Sequence, residues 1–148
     1  MEVFVKPFHE LTVEQLYNIL ELRVAVFVVE QQCPYMDLDG LDQAAIHVWL
    51  EEDGVVTACA RVMDRGVESE YVSIGRVVTR EHRKGRGSII LTECIRAARE
   101  HFNAGALYLE AQQYAVPFYA RQGFEPVSEP FIMDGIPHVK MIRPADKV

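Results

Sequence analysis

Two apolar, β-branched runs flank the dipeptide Asp53-Gly54, and this arrangement constrains the fold more than any other feature of the sequence. The run "AIHVWLEE" precedes the dipeptide, and "VVTACARVMD" follows it. Asp-Gly between two such runs is typical of a two-residue β-hairpin turn. The sequence therefore predicts two consecutive antiparallel strands in the middle of the chain.

Strand and helix patterns also precede and follow this hairpin. The alternation around Val3 and Val5 predicts a first strand. Thr12 and Gln15 resemble a capping box, and the apolar repeat that follows predicts a first helix of about four turns, reaching Phe27. Downstream of the hairpin, "YVSIGRVVT" predicts another strand, in which Gly75 indicates either a bulge or the close approach of another group.

A long helix, a strand, a short helix and two strands are predicted for the rest of the chain. The long helix has one apolar face and ends near Asn103, and "ALYLEAQ" is the strand after it. Pro117 fits only the first turn of a helix, so the short helix begins near Ala115. The last strands are predicted around residues 127–133 and 138–143. The order β-α-β-β-β-α-β-α-β-β predicts one mixed α/β domain over residues 1–148.

Composition excludes several classes of protein. A net charge of −7 and a pI near 5.2 argue against binding to nucleic acid or to an anionic membrane surface. Nowhere does an apolar run approach the length of a membrane span. The cysteines form no CxxC pair and, with the histidines, show no metal-ligand spacing. We expect buried free thiols, no metal, and a reducing, cytoplasmic location.

One local basic run departs from this acidic background. Within "TREHRKGRGSIILTEC", Arg80, Arg83, Lys84 and Arg86 surround two glycines between a predicted strand and a predicted helix. A helix N-terminus carries unpaired N–H groups and a partial positive charge, so such a run can bind a pyrophosphate. The alternative is an exposed loop whose cations only keep it soluble. The strand-loop-helix placement favours phosphate binding.

The same run carries a resemblance to a known family. "VVTREHRKGRGSIIL" resembles motif A of the GNAT superfamily of acetyl-CoA-dependent acyltransferases, and "AVPFYARQGF" resembles its motif B. The blocks "SIGRVV", "LEAQ" and "DGIPHVKM" resemble the ElaA-like branch. The resemblance implies a GNAT-like domain whose central twisted sheet is mostly antiparallel, with about six to seven strands and three to four helices.

The family's phosphate loop, [Q/R]-x-x-G-x-[G/A], fits this chain in two registers. Without a gap, Arg83 opens the loop, and Arg86 and Ser88 replace its two small residues. A one-residue slip restores both glycines but makes His82 the first residue. The ungapped register is preferred because it keeps the usual spacing from strand to loop, and both registers retain the anion site.

The resemblance implies roles for particular residues. Backbone groups of the fourth strand would pair with the pantetheine arm of acetyl-CoA and polarise the thioester carbonyl. Tyr119 matches the position whose phenol protonates the departing thiolate. The pKa of a phenol is about 10, so the group is still protonated at neutral pH. The residues expected to contact coenzyme A are Val77, Val78, Arg83, Lys84, Gly85, Arg86, Gly87, Ser88 and Gln112.

The acceptor amine must lose a proton, which requires a base. Glu110 is the preferred candidate by topology, and Glu30, His47 and His138 are the alternatives. Glu30, Tyr35 and His138 are predicted to contact the acceptor. The segment that follows Glu30 is rich in aspartate, which indicates either an acidic wall for a cationic amine or a solvated acidic loop.

Two functions are compatible with the resemblance. The preferred one is direct transfer of an acetyl group from acetyl-CoA to a primary amine of a small molecule or peptide, within a ternary complex. The alternative is a non-catalytic acyl-CoA-binding module of the same fold. The partners expected are therefore acetyl-CoA and an amine, and the sequence leaves open whether the protein is a homodimer.

Overall fold

A computed structural model describes residues 1–82 and 85–146 of the chain. The regular structure of the described residues comprises three α-helices, eight strands and three short 3₁₀ helices, and a π-helical segment, Val24–Glu30, directly follows the first α-helix. The helices are α1 (Val13–Arg23), α2 (Arg86–Phe102) and α3 (Val116–Ala120). The strands are β1 (Glu2–Pro7), β2 (Ile46–Glu52), β3 (Val55–Met63), β4 (Val72–Thr79), β5 (Leu107–Gln112), β6 (Glu125–Pro126), β7 (Phe131–Met133) and β8 (Ile136–Arg143).

The strands form one sheet in the order β1-β2-β3-β4-β5-β8-β6, and β7 also pairs with β8. Among the strands of the described residues, only the β4–β5 pair is parallel. The predicted mixed α/β class and mostly antiparallel sheet are therefore confirmed. The single strand predicted around residues 127–133 is wrong: two short strands, β6 and β7, pair separately with β8. Pro130 lies between them, and proline interrupts a ladder because it has no N–H to donate.

The two long helices cover opposite faces of the sheet. Alternate residues of a strand point to opposite faces, so Val48 and Leu50 pack with α2 while Trp49 packs with α1. The apolar face predicted for α2 is buried, and Asn103 ends that helix with a φ of 48°. Among the described residues no helix has the length and apolar character to cross a membrane.

The first helix begins as predicted but ends differently. Thr12 and Gln15 form both hydrogen bonds of a capping box. The expected four-turn α-helix is wrong at its C-terminal end, because α1 stops at Arg23 and the chain continues as a seven-residue π-helix. Bonds across five residues, such as Gln31 N–H to the Val26 carbonyl at 3.1 Å, define this segment. The χ1 angles of its valines are restricted in an α-helix, where these side chains crowd the preceding turn. The wider π-helical turn therefore costs less free energy relative to an α-helical one.

The predicted hairpin at Asp53-Gly54 is confirmed. Both residues have positive φ, 53° and 78°, as a two-residue turn of this type requires. Glu52 pairs with Val55 across the turn, so β2 and β3 form an antiparallel ladder, with a register shift between Leu50 and Glu51. A second Asp-Gly turn at residues 134–135, also with positive φ at both positions, joins β7 to β8.

Strand β4 contains a bulge at Gly75, one of the two alternatives predicted for that glycine. On β3 the paired positions advance from Cys59 to Arg61, while on β4 they advance from Val78 to Gly75. The extra residue on β4 is accommodated by Arg76, whose φ is 51°. The bulge leaves this part of the β3–β4 ladder unpaired.

The other edge of β4 is also unpaired over most of its length. Its parallel partner β5 matches it at only two positions, Val72 with Leu107 and Ser73 with Tyr108. Beyond Ser73 the two strands diverge, because β5 continues to pair with β8 as far as Gln112. The sheet therefore opens between the C-terminal ends of β4 and β5.

Buried arginines fix the irregular segment between residues 31 and 45 to the sheet. Arg23, at the end of α1, donates from Nε to Asp37 at 2.9 Å and from Nη1 to Asp42 at 2.7 Å. Arg61, on β3, donates from Nη1 to Asp42 at 2.9 Å and from Nη2 to Asp39 at 2.6 Å. Both guanidinium groups are almost fully buried, at 1 % exposure. The charges are paired, which is the condition for burying them.

Arg76, at the bulge of β4, extends this network toward the open side of the sheet. Its Nε lies 2.9 Å from Asp37 Oδ1 but is not aligned for a hydrogen bond, so the contact is an ion pair. Its Nη2 donates to the Asp37 carbonyl at 2.9 Å. The guanidinium also stacks over the ring of Tyr35, 5.7 Å from its centroid.

Candidate active site

The divergence of β4 and β5 opens a cleft of about 1520 Å³. This volume is larger than that of an ordinary small-molecule site, which is roughly 300–1,000 Å³. Of the described residues predicted for the site, all except the alternative base His47 line it: Glu30, Tyr35, Val77, Val78, Gly85, Arg86, Gly87, Ser88, Glu110, Gln112, Tyr119 and His138. Arg83 and Lys84, which were also predicted, lie outside the described residues.

The N-terminus of α2 lies at one end of this cleft. Gly85 is the N-cap residue, with a left-handed φ of 77°, and no side chain within the described part of the chain caps the first turn. The first N–H groups of a helix have no intrahelical acceptors. Gly85 and the residues of this first turn, as far as Ser88, line the cleft. The geometry suits an anionic group placed against the positive end of the helix.

The two glycines of the loop are required for different reasons. Gly85 needs its left-handed φ, which side chains other than glycine's disfavour. Gly87 has an ordinary φ, but a Cβ there would lie 3.2 Å from Cζ of Phe118. The absence of a side chain at Gly87 lets α2 pack closely on α3. The slipped register of the family's loop places its small residues at these two positions.

Arg86 is engaged by an acidic side chain of β2. Its Nε donates to Oε2 of Glu52, and its Nη2 donates to Oε1 at 3.2 Å. Thr57 donates a further hydrogen bond to Glu52 at 2.7 Å. The hydrogen bonds from Arg86 and Thr57 lower the pKa of Glu52 to about 2. The buried Nη1 of Arg86 has no hydrogen-bond partner among the described residues.

Tyr119, from α3, lies in the wall of the cleft. Its ring packs edge-to-face on Phe118 and Phe124, with centroids 5.0 and 6.1 Å away. Burial raises the pKa of the Tyr119 phenol well above its usual value near 10. The hydroxyl therefore carries its proton throughout the physiological range and can donate it when negative charge develops nearby.

Gln112 already has a protein partner. Its side-chain amide and that of Gln31 exchange two hydrogen bonds, at 3.1 and 3.2 Å. The pair joins the end of β5 to the residue after the π-helix, and both side chains line the cleft. An amide that contacted coenzyme A here would have to share or exchange these bonds.

Glu110 faces the cleft from β5 and is held by a neighbouring phenol. Tyr108 Oη donates to Glu110 Oε2 at 2.7 Å, and the Tyr108 ring stacks on Tyr71 at 6.4 Å. Burial, followed by the hydrogen bond to Glu110, raises the pKa of Tyr108. Tyr108 therefore remains a donor, and the orientation of the Glu110 carboxylate is fixed.

Glu68, on the loop between β3 and β4, is a residue of the cleft that the sequence did not indicate. It is accessible to solvent, yet it sits inside the concave surface beside other charged groups. Partial desolvation in the cleft raises the pKa of Glu68, the nearby Arg61 lowers it, and the nearby Glu110 raises it. The shift is upward, so this carboxylate binds a proton more readily than an ordinary glutamate.

The predicted acceptor residues come from separate elements of the cleft. Tyr35 donates from its hydroxyl to Asp37 at 3.0 Å. His138 Nδ1 lies 2.7 Å from the Ile136 carbonyl, which can only accept, so Nδ1 carries the hydrogen. Glu30 lies at an exposed margin, 2.8 Å from Nε2 of His82.

His47, one of the alternative bases, lies outside the cleft. Its Nε2 is 2.9 Å from the Asp42 carbonyl, and its ring is 1 % exposed. Burial lowers the pKa of His47, so the neutral ring is favoured. Its contact with Asp42 gives His47 a structural role in holding the irregular segment, and its place outside the cleft does not fit the role of a base.

Two of the aspartates after Glu30 form neither of the two arrangements predicted for this segment. Asp37 and Asp42 are buried, at 3 % and 6 % exposure, and are neutralised by arginines. They are therefore neither a free acidic wall nor a solvated loop. Arg61, an arginine inside an otherwise apolar strand, was the available indication that carboxylates would be buried against it.

The cysteines are free thiols, as expected. Burial raises the pKa of Cys59 to about 12 and also raises that of Cys94, so both stay protonated. Cys33 lines the cleft and donates from Sγ to the Asp134 carbonyl at 3.1 Å. Within residues 1–82 and 85–146, no cluster of three or more His, Cys, Asp or Glu side chains could hold a metal ion.

Comparisons with known proteins agree with this architecture. A family model described as an acetyltransferase (GNAT) domain matches residues 12–143. Protein ElaA of Escherichia coli is 40% identical over 138 residues, which cover 90% of each chain. The crystal structure of an acyl-CoA N-acyltransferase from Pseudomonas aeruginosa matches with a TM-score of 0.90 and 36% identity, over 97% of this chain and 99% of that one. The crystal structure of E. coli ElaA matches with a TM-score of 0.89 and 37% identity, over 96% and 98%.

Proposed function

Because this chain belongs to the GNAT acetyltransferase family, we propose that it is an N-acetyltransferase that uses acetyl-CoA. The acetyl group would pass directly to a primary amine of a small molecule or peptide, within a ternary complex. The observation that carries the proposal is the cleft between β4 and β5, with the N-terminus of α2 at one end and Tyr119 in its wall.

The cleft has the features that acetyl-CoA requires. The edge of β4 beyond Ser73 lacks a strand partner, so its backbone groups are open to the amides of a pantetheine arm. The first turn of α2 offers N–H donors for the diphosphate. Arg83 and Lys84, by their place in the sequence, would add further cations beside it.

Backbone and side-chain donors in the cleft could perform the transfer. The bulge between Gly75 and Val78 leaves Arg76 and Val77 out of the ladder with β3, and a backbone N–H near Val77 and Val78 would stabilise negative charge on the thioester oxygen. Tyr119 would donate its proton to the sulfur as the carbon–sulfur bond breaks. No covalent enzyme intermediate is required, because the amine can attack the thioester directly.

Thiol release measures this reaction. The protein is mixed with acetyl-CoA and, in separate samples, with polyamines, aminoglycosides, amino acids or peptides, and free thiol is followed with time. Release that depends on an amine, together with an acetylated product of the expected mass, supports the proposal. Binding of acetyl-CoA by calorimetry without release for any amine would instead identify a non-catalytic acyl-CoA-binding module.

The role of Tyr119 is tested by Tyr119→Phe. We expect turnover to fall by about 10²-fold or more, because a positioned general acid typically contributes about 10²–10⁴-fold. The affinity for acetyl-CoA should persist, since the ring contacts with Phe118 and Phe124 are retained. Tyr17→Phe, an exposed tyrosine on α1, is the matched control. Unchanged turnover in Tyr119→Phe would remove the phenol from the reaction.

A further inference from the structure

In the part of the cleft beside the open edge of β4, where the acceptor is expected to bind, carboxylates outnumber arginines. The arginines that border it, Arg61 and Arg76, are already paired with the aspartates of the irregular segment. Glu68 and Glu110 also face the cleft, and no ion pair compensates either of them among the described residues. Tyr108, the hydrogen-bond partner of Glu110, is neutral. These two glutamates therefore supply net negative charge beside the open edge of β4.

Gly75 keeps the space beside Glu68 open. A Cβ atom placed on Gly75 would lie 3.9 Å from Glu68 Oε2 and 3.8 Å from Arg61 Nε. A side chain at this position would therefore fill the volume that the carboxylate borders. The Nε of Arg61 is buried and has no hydrogen-bond partner among the described residues, so the site also contains an unmet donor. An unmet buried donor costs free energy, about 1–3 kcal/mol, and such groups are concentrated at functional sites.

Each element packed around Glu68 brings a charged or polar group toward it. Arg61 approaches from β3, Arg76 from β4, Asp39 from the irregular segment and Glu110 from β5. The guanidinium groups are held in place by the aspartates, and Glu110 is held by Tyr108. Glu68 is the member of this group on a connecting loop, and no hydrogen bond fixes its carboxylate among the described residues. It is therefore free to approach a ligand.

We propose that Glu68 is the proton acceptor of the acetyl transfer, that Glu110 is its electrostatic partner, and that the acceptor is a primary amine bound as its ammonium cation. This inference rests on the proposed acetyltransferase function. It assigns the base to a residue of the β3–β4 loop, whereas sequence topology favoured Glu110. Two like charges in one site favour uptake of a single proton, which is the change that a general base must undergo.

The proton balance is complete with groups of the cleft. The Glu68 carboxylate takes one proton from the bound ammonium, which frees the nitrogen lone pair. That lone pair forms the carbon–nitrogen bond, and the carbon–sulfur bond breaks while Tyr119 gives its proton to sulfur. The nitrogen then loses a second proton, which restores the Tyr119 phenol, and keeps its third in the amide. Glu68 releases its proton to solvent, so the overall products are the amide, coenzyme A and one proton.

The charge of the cleft also selects among amines. A second cationic group on the acceptor is attracted by the carboxylate that does not take the proton, and a carboxylate on the acceptor is repelled by both. Three probes of matched length separate these cases: 1,3-diaminopropane, propylamine and β-alanine. We expect kcat/KM to fall in that order, and the differences to shrink in high salt. Equal values for the cationic and anionic probes would contradict the assignment.

The kinetic test compares three variants with 1,3-diaminopropane as the probe. Glu68→Gln should lower kcat/KM by about 10²-fold or more and abolish its acidic limb, because the titrating base is gone. Glu68→Asp keeps a carboxylate and should retain that limb with lower activity. Glu70→Gln is the control, since Glu70 lies on the same loop but does not line the cleft. A Glu68→Gln variant with the wild-type rate and pH profile would overturn the inference.

The Glu110→Gln variant tests the electrostatic role of Glu110 through the pH profile, which a merely structural role would not change. Removing the partner charge should move the acidic limb of kcat/KM to lower pH, since Glu110 contributes to the raised pKa of Glu68. The carboxyl pKa of Glu68 can also be measured directly by NMR on protein labelled at the glutamate carboxyl carbon. We expect a value above the usual 4.3 or so in the wild type, and a lower one in Glu110→Gln.

The NMR measurement needs no turnover, so it separates the two proposals. If no amine is acetylated but Glu68 titrates high and responds to Glu110→Gln, the proposed function fails and the carboxylate pair stands. If amines are acetylated but Glu68 titrates normally and Glu68→Gln is active, the function stands and the assignment of the base fails.

Discussion

The sheet is closed on one side of β4 and open on the other. From β1 to β4, adjacent strands pair along nearly their whole length, with local irregularities at Leu50/Glu51 and Cys59/Arg61. Between β4 and β5 only two pairs form before the strands separate. In the closed part the backbone groups satisfy one another, and side chains provide the stability. In the open part the backbone itself is available to a ligand, as backbone groups that lack a partner in the protein must find one elsewhere.

The bulge at Gly75 lies in β4, the strand at which the closed part of the sheet meets the open part. Because side chains alternate across a strand, an extra residue reverses which face each later side chain occupies. Ile74 and Val77 both pack toward α2, although they are three residues apart, while Val78 packs toward α1. The bulge thus keeps both hydrophobic cores filled while it directs the backbone near Val77 into the cleft.

The largest expected effect comes from removing Arg23, which holds the irregular segment in place beside the closed part of the sheet. Arg23→Ala would leave Asp37 and Asp42 buried with a lost partner, and breaking a buried ion pair typically costs about 3–5 kcal/mol of the free energy of unfolding. Urea denaturation measures this loss. Arg96→Ala is the control, because Arg96 forms an exposed pair with Glu93 on α2 and should change stability by about 1 kcal/mol or less. Similar losses in both variants would show that the buried network contributes no more than a surface pair.

An intermediate effect is expected where the open part is bordered by helices. Gly87→Ala would place Cβ 3.2 Å from the Phe118 ring, and overpacking of this kind typically costs about 1–3 kcal/mol. The shift of α2 against α3 should also weaken acetyl-CoA binding, measured by calorimetry. Adding Phe118→Leu removes the ring and should recover part of both losses. If Gly87→Ala binds acetyl-CoA as the wild type does, the close approach of the helices is not needed for the anion site.

The smallest effect is a pH dependence at the border between the two parts. The hydrogen bond from Arg61 holds the pKa of Asp39 well below its ordinary value of about 3.9. A depressed native pKa contributes stability above the unfolded pKa, and this stability is lost as the pH falls toward the native one. Asp39→Asn should therefore be less stable than the wild type at pH 7, and the difference should narrow below about pH 4. A difference that stays constant from pH 7 to pH 3 would refute the linkage.

Local sequence was sufficient where a short motif determines its own geometry. The capping box at Thr12 and Gln15 and the turn at Asp53-Gly54 were predicted and confirmed, because their hydrogen bonds and φ angles involve residues adjacent in the chain. Residues that the motif resemblance singled out, such as Gly87, Gln112 and Tyr119, line one cleft, since each motif belongs to an element that ends there. Their chemical roles remain proposals.

Residues whose role depends on distant partners were missed or misjudged. Nothing adjacent to Glu68 distinguishes it from Glu70, and only the fold brings Glu68 into the cleft opposite Glu110. The acidic segment after Glu30 offered two interpretations, and neither anticipated arginines from α1 and β3. The π-helix could not be predicted either, because a segment whose hydrogen bonds span five residues has nearly the same local sequence preferences as an α-helical turn.

The sequence by itself determined most of the elements and their order, because hydrophobic period, turn residues and capping residues act over a few neighbours. The tertiary structure alone decided where the sheet opens and which charges meet there. Strand separation depends on β5 pairing with β8 rather than continuing along β4, and charge pairing depends on segments tens of residues apart. These are long-range contacts, whose free energies no local pattern encodes.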